Sequence, residues 1–267
     1  MFSREPIYKN LEEIQIDSIK MIEYFAEQYL RFIPREIKNF PSHGVDHSIN
    51  IILQLNDFVE DWELRLNNQE MFLLYLGAWL HDIGCLVSRE NHSQESVRII
   101  VGNEGVCTSL NAVDREVLIN LRYLILSHRA SYSIGNVPDT RGAVRLRLIC
   151  SIFRLIDACE ITCTKCPKNV YELIKDSFVN EDGSPDEEAH AFWRAHMNIR
   201  SLNFKKPKIE ILKNDPKLSE KIVSRLKNEI ESIKTVFEQA DLPIPVIIEY
   251  DQSNDFDALE HESLTAE

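Results

Sequence analysis

Through the first two hundred residues, apolar positions recur three and four apart, the period of amphipathic helices. Ile19, Ile22, Phe25 and Leu30 predict a helix over roughly 10–32. Ile49, Ile52, Leu53, Val59 and Trp62 predict a second in "DHSINIILQLNDFVEDWELR". Residues 69–82 predict a third, apolar on every side, which places it at the centre of a bundle. Further helices are predicted in "NHSQESVRIIVGN", "DREVLINLRYLILSH", "AVRLRLICSIFRLIDACE" and "DEEAHAFWRAHMN". Gly, Asn and Pro mark loops at 131–142 and 179–188.

The period changes after residue 198. "IRSLNF", "KIEILK" and "PVIIEY" read as short strands, and residues 217–240 as an amphipathic helix. The expected fold is mainly α: a helical domain over 1–198 and a small α/β appendage over 199–250. Residues 251–267 hold six acids and no Lys or Arg. Such a tail has little apolar surface to offset ordering entropy, so it is expected to be disordered.

That tail also changes the charge argument. The formal net charge is −13, and the tail carries nearly half of it. The remainder is mildly acidic, which disfavours wrapping a long nucleic acid backbone but allows a local basic pocket for one phosphate. The longest apolar run, Met71–Leu80, falls far short of the roughly 20 residues that span a bilayer. The opening "MFSREPIYKN" is polar and charged, unlike a signal peptide. The six cysteines fall mostly within apolar or helical patterns, unlike a secreted disulfide framework, so a reducing cytoplasm is the expected location. Cys163 and Cys166 form a CxxC, but one such pair is weak evidence for zinc.

The chemistry lies at helix ends. The run "FLLYLGAWLHDIGC" sets His81 and Asp82 after an apolar helix, where an ionised carboxylate costs several kcal/mol unless something offsets it. Asp157 ends another apolar helix, and His43, His47, His92 and His128 complete the histidines of the first half. If these ends converge, imidazoles and carboxylates cluster in a low-dielectric interior. Such a cluster suits Mn, Fe, Co, Ni or Zn better than Ca, and Mg is a further option. Adjacent residues on a helix diverge by about 100°, so the helix must end at His81, with Gly84 placed to terminate it. Taken singly, each histidine is more often a hydrogen-bonded core residue, and Asp157 has Arg154 as an i,i+3 partner. His190 and His196 fall in a polar amphipathic segment and read as surface residues. Arg147, Ser151, Arg154 and Asp157 share one helix face, a polar stripe suited to a phosphate pocket.

In order and spacing, "HGVDHSINII", "AWLHDIG", "NHSQES", "LILSHRA" and "IFRLIDACE" resemble the HD superfamily of metal-dependent phosphohydrolases. The resemblance spans about 43–160 and implies an HD-type helical bundle. It makes His47, His81, Asp82 and Asp157 the primary metal ligands, for one or two divalent ions. His92 and His128 lie where relatives bind a second metal or contact phosphate, and Asp82 is the bridging carboxylate if two ions bind. The chain lacks the Gly-Tyr-Pro motif of the cyclic-dinucleotide branch and a synthetase domain of the alarmone type. With "AFWRAHMNIRSLNF", it looks most like a subgroup sometimes joined to Hsp90-like ATPases.

The implied activity is hydrolysis of a phosphate ester or phosphodiester, expected to be that of a nucleotide. Asp82, His92 and His128 are the candidate catalytic residues, and Arg129, Arg147 and Arg154 the candidate phosphate partners. The competing expectation is a non-catalytic nucleotide-sensing or regulatory module that docks a protein partner. A homo-oligomer is compatible with either.

Overall fold

A computed structural model of the chain describes residues 6–36, 39, 43–180 and 182–251. The expected acidic tail lies outside these residues, apart from Asp251.

The protein is mainly α, with a three-stranded sheet near its carboxyl end. The bundle comprises α1 (Glu13–Leu30), the short α2 (Ile33–Glu36), α3 (Val45–Asp61), α4 (Asn68–Leu80), α5 (His92–Val101), α6 (Glu104–Val113), α7 (Val117–Ser127), α8 (Leu146–Cys159), α9 (Lys168–Ile174) and α10 (Glu187–Asn198). The period did not reveal α2, α6 or α9. In α6 only Val106 and Leu110 are buried, so "EGVCTSLNAV" has too thin an apolar stripe to read as a helix. Asn103 caps it by accepting from the Val106 amide.

Helix α4 is the axis of the bundle. Every side chain from Met71 to Leu80 is buried, each Leu-sized one stabilising the fold by about 1.5–3 kcal/mol. A capping box starts the helix: Asn67 accepts from the Glu70 amide, and Glu70 accepts from the Asn67 amide. Gly77 lets α7 and α8 close on α4, since a Cβ there would meet Leu124 at 2.4 Å and Phe153 at 3.0 Å.

After α10 the chain enters the appendage. Strands β1 (Ile199–Lys205) and β2 (Lys208–Lys213) pair antiparallel, and β3 (Val246–Asp251) pairs parallel with β2. Helix α11 (Pro216–Gln239) connects β2 to β3 and packs on α8 and α10. Phe204 meets Phe58, and Phe237 meets Trp62. These contacts join the appendage to the same apolar core as the bundle. Among the described residues, no helix is long and apolar enough to cross a membrane.

Candidate metal centre

Helix ends build the site. His47 lies in the first turn of α3, and His92 is the first residue of α5. His81 caps the carboxyl end of α4, His128 caps that of α7, and Asp157 lies in the last turn of α8. Helix carboxyl ends carry partial negative charge, so three of them together favour a cation. The helix does end at His81, but Gly84 acts differently from a left-handed terminator. Ile83–Leu86 continues as a 3-10 turn. A Cβ on Gly84 would lie 2.1 Å from the His92 carbonyl oxygen and 2.4 Å from the Ser96 amide nitrogen. Glycine is needed there because α5 packs directly on the turn. Ser96 locks the junction, accepting from the Gly84 amide at 2.8 Å and donating to the His81 carbonyl at 2.7 Å.

The six side chains form two groups that share Asp82. Around its Oδ2, His47 Nε2 lies at 3.6 Å and His81 Nε2 at 3.2 Å. Asp157 Oδ1 completes this group, 3.3 Å from His47 Nε2 and 3.7 Å from His81 Nε2. Around Asp82 Oδ1, His92 Nε2 lies at 3.3 Å and His128 Nε2 at 4.0 Å.

Hydrogen bonds fix which ring nitrogen faces inward. His81 Nδ1 donates to the Gly77 carbonyl, His92 Nδ1 to Arg89 and His128 Nδ1 to Ile125. Carbonyls only accept, so each Nδ1 carries hydrogen and each neutral ring turns the Nε2 lone pair to the centre. His47 likewise points Nδ1 at the Glu160 carboxylate, 3.2 Å away. Two pairs of inward nitrogens then meet: His47 with His81 at 3.2 Å, and His92 with His128 at 3.0 Å. Facing lone pairs repel unless a proton or a cation lies between them. Ligands held at about 2.0–2.2 Å from a tetrahedral or octahedral ion are themselves roughly 3.0–3.5 Å apart. The donor set and its spacing therefore fit a divalent transition metal at either group.

Protonation follows the same logic. For His81, burial disfavours the charged ring, but Asp82 and Asp157 outweigh it and raise the pKa to about 9. For Asp82, burial is likewise outweighed by His81 and His43, which hold the carboxyl well below its usual range. Burial, with the His81 charge, pushes His128 down to about 3. Without an ion, the first group is thus satisfied by a proton on His81, while His128 in the second stays neutral. A metal at the first group competes with that proton.

Outer partners hold the donors. Glu160 is buried, accepts from Asn50 at 3.0 Å and pairs with Lys165 at 2.7 Å besides meeting His47. Burial raises its pKa, but Lys165 and His47 bring it down to about 2, so it is ionised at neutral pH. His43 Nδ1 lies 3.0 Å from Asp82 Oδ2.

The site opens into a cavity of about 440 Å³, within the range of small-ligand pockets. Arg89, Arg129, Arg225 and Lys165 give it a basic side, and Phe192, Ile161, Ile222 and Leu226 an apolar one. Arg225 stacks over Phe192 at 4.7 Å, so α10 and α11 of the carboxyl-terminal region form part of the wall.

Three sequence readings are corrected here. Arg147 does not reach the site. It donates to the Val137 carbonyl and pairs with Asp139. It shares a helix face with Asp157 but lies ten residues earlier, about 15 Å along the axis. Arg154 does line the cavity, yet its guanidinium ties backbone together. It donates to the carbonyls of Ser127, Arg129 and Tyr132 and to Ser232 Oγ. It therefore fixes the loop that carries His128 and Arg129. His196 is a buried cavity residue, not a surface one, with Nδ1 donating to the Ile161 carbonyl. Of the candidate phosphate partners, Arg129 lines the cavity and also donates to the Glu90 carbonyl. Cys163 and Cys166 are free thiols, and among the described residues they join no group with ligand spacing.

Glu160, Lys165, Arg89 and Arg225 escaped the sequence reading. For Glu160 a signal existed: it follows Asp157 by three residues at the end of the same apolar helix.

A search of curated proteins finds no match. A family model described as HD-CE matches residues 23–222, which include every donor of the cluster and end inside α11. That match supports an HD-type domain without reaching the Hsp90-joined subgroup. With most of its length covered, the chain belongs to the HD-CE family.

Proposed function

We propose that this HD-type protein is a metal-dependent phosphohydrolase acting on a phosphate ester or phosphodiester, with nucleotides as the favoured class. The observation that carries the reading is the pair of donor groups sharing Asp82 at the floor of a basic cavity. Bound divalent ions would lower the pKa of water and polarise the phosphoryl group. His47, His81, Asp82 and Asp157 would hold one ion, and Asp82, His92 and His128 a second.

The remaining groups of the cavity act on the substrate. Arg89, Arg129 and Arg225 offer guanidinium donors to phosphate oxygens. Lys165 stays charged: burial opposes this, but Glu160 and Asp157 outweigh it and raise its pKa. Its charge stabilises negative charge developing on phosphate. His43 is held neutral, at about 4, by burial and by Lys165. It lines the cavity beside Asp82 and is a candidate to pass a proton there. Phe192, Ile222 and Leu226 offer an apolar wall for a nucleobase.

The test is phosphate release by purified protein from a panel of phosphomonoesters, phosphodiesters and nucleoside polyphosphates, with each divalent metal in turn. Turnover that chelator abolishes and metal restores is expected. Saturable nucleotide binding without turnover, by protein carrying its full metal content, would replace the enzyme with a sensing module.

A further inference from the structure

We infer that Cys85 is a thiolate ligand of the second ion, so that one group binds through nitrogen and oxygen and the other through nitrogen, oxygen and sulfur. This rests on the reading that the cluster holds metal.

The local geometry puts the sulfur there. Asp82 precedes the 3-10 turn Ile83–Leu86. In a 3-10 helix, residues three apart eclipse, so Asp82 and Cys85 project the same way. The turn is held by the Cys85 amide donating to the Asp82 carbonyl at 2.8 Å. Gly84 lets α5 press against the turn, and this brings His92 alongside. As a result Cys85 Sγ, an Asp82 carboxylate oxygen and a His92 ring nitrogen lie within 4.8 Å of one another.

A second observation points the same way. The His92 and His128 lone pairs face each other at 3.0 Å, with both Nδ1 atoms committed to carbonyls. Among the described residues, Asp82 is the carboxylate that the ion-pair geometry brings to this pair, and it is shared with the first group. Two imidazoles and half of a bridging carboxylate leave the ion room for a further protein donor beside a water. Cys85 is 5 % exposed, so bulk water reaches it poorly, and its sulfur supplies that donor. On binding, the thiol proton goes to solvent and the sulfur–metal bond forms. The ordinary alternative is a buried thiol that packs and donates weakly to Asp82.

The consequence is selectivity. Thiolate favours zinc, cobalt or cadmium over magnesium or manganese, so the two positions should differ in the ion they retain.

X-ray absorption at the zinc edge of the full-length protein carrying two zinc ions per chain tests this. The expected result is a sulfur scatterer at about 2.3 Å in wild type that disappears in Cys85→Ser, with zinc content measured on the same samples. Wild type that binds two zincs through nitrogen and oxygen alone overturns the inference, whatever the variant does. A sulfur signal that survives in Cys85→Ser also overturns it, because another cysteine would then be the source. Circular dichroism shows whether the variant is folded, and Cys85→Ala replaces it if serine disrupts the turn. Wild type that binds no zinc or other divalent metal would instead sink the metal reading itself, a distinct outcome from zinc bound without sulfur.

Discussion

Helices α4 and α8 meet through charged groups at both their amino and their carboxyl ends, yet the two ends are satisfied in different ways. At the amino ends, Glu70 is fully buried. Its carboxylate accepts from the Arg145 amide, Arg145 Nε, an Arg145 terminal nitrogen and the Asn67 amide, all within 3.1 Å. Burial raises its pKa, but Arg145 and Asn67 outweigh this and leave it lowered. The protein has closed this site on itself. At the carboxyl ends, Asp82 and Asp157 meet histidines whose inward nitrogens face one another. Burial alone therefore does not separate a structural charge from a functional one. The separation lies in whether the protein's own donors and acceptors balance.

The sharpest break of this comparison is Asp82→Ala. It removes an oxygen from both groups at once. Metal content should fall steeply, and phosphate release should drop by about 10³-fold or more, the several kcal/mol that a bound ion supplies. Elemental analysis and turnover on the same preparation check it. Unchanged metal content would show that the shared carboxylate holds no ion.

At the closed end, Arg145→Ala should act on stability. Removing one partner of a buried pair costs about 3–5 kcal/mol. The Arg145 side chain is about half exposed, so water can partly replace it and the expected loss is about 2–4 kcal/mol. Metal content and the rate of the folded fraction should not change. The pH dependence has a definite sign. A lowered carboxyl pKa contributes stability that is complete above the unfolded value near 4.5 and is lost as pH falls through the lower folded value. Denaturant titrations at a series of pH values from 7 downward should therefore show the variant's deficit shrinking once the pH falls below about 4.5.

Glu160→Gln probes the boundary between the two kinds of site. Glu160 touches His47 from outside the cluster, so it orients a donor without being one. Such partners are worth about 10–100-fold in metal affinity or activity. The variant should fold, bind metal that much more weakly and recover turnover at higher metal. Loss that no metal concentration rescues would move Glu160 into the catalytic machinery.

The same comparison explains what could be read beforehand. The helix-end donors were legible because each polar residue interrupts an apolar run, and a helix's period and end are local properties of the chain. The strands of the appendage were legible for the same reason. Lys165 was not, because it follows α8 in a segment with no period, whereas Glu160 stands three residues after Asp157 at the end of the same apolar helix. Arg225 reaches the cavity only because α11 folds back over α10 and α8, a long-range contact that spacing does not encode. His196 looked exposed because α10 is polar overall, yet the helix faces a cavity lined by polar groups. Arg154 lines the cavity, and its contacts there, tying the 127–132 backbone to α8, depend on partners distant in sequence.

Arg147 is the instructive error, and its variant is the smallest effect expected. Helical spacing reports the angle at which a side chain leaves the axis. It says nothing about whether that height on the axis is occupied by the site or by scaffold. Arg147 leaves α8 at the scaffold end, where it anchors the 137–139 segment through the Val137 carbonyl and Asp139. Arg147→Ala removes a hydrogen bond and a mostly exposed partner, Asp139 being 74 % exposed. The cost should be about 1 kcal/mol, a shift of about 2–4 °C in Tm for a chain of this size. Metal content, kcat and KM should match wild type. A raised KM for a phosphate substrate at unchanged stability would restore Arg147 to the site and show that the cavity extends along α8 to its amino end. A Tm shift alone would confirm that the two ends of this helix do separate work.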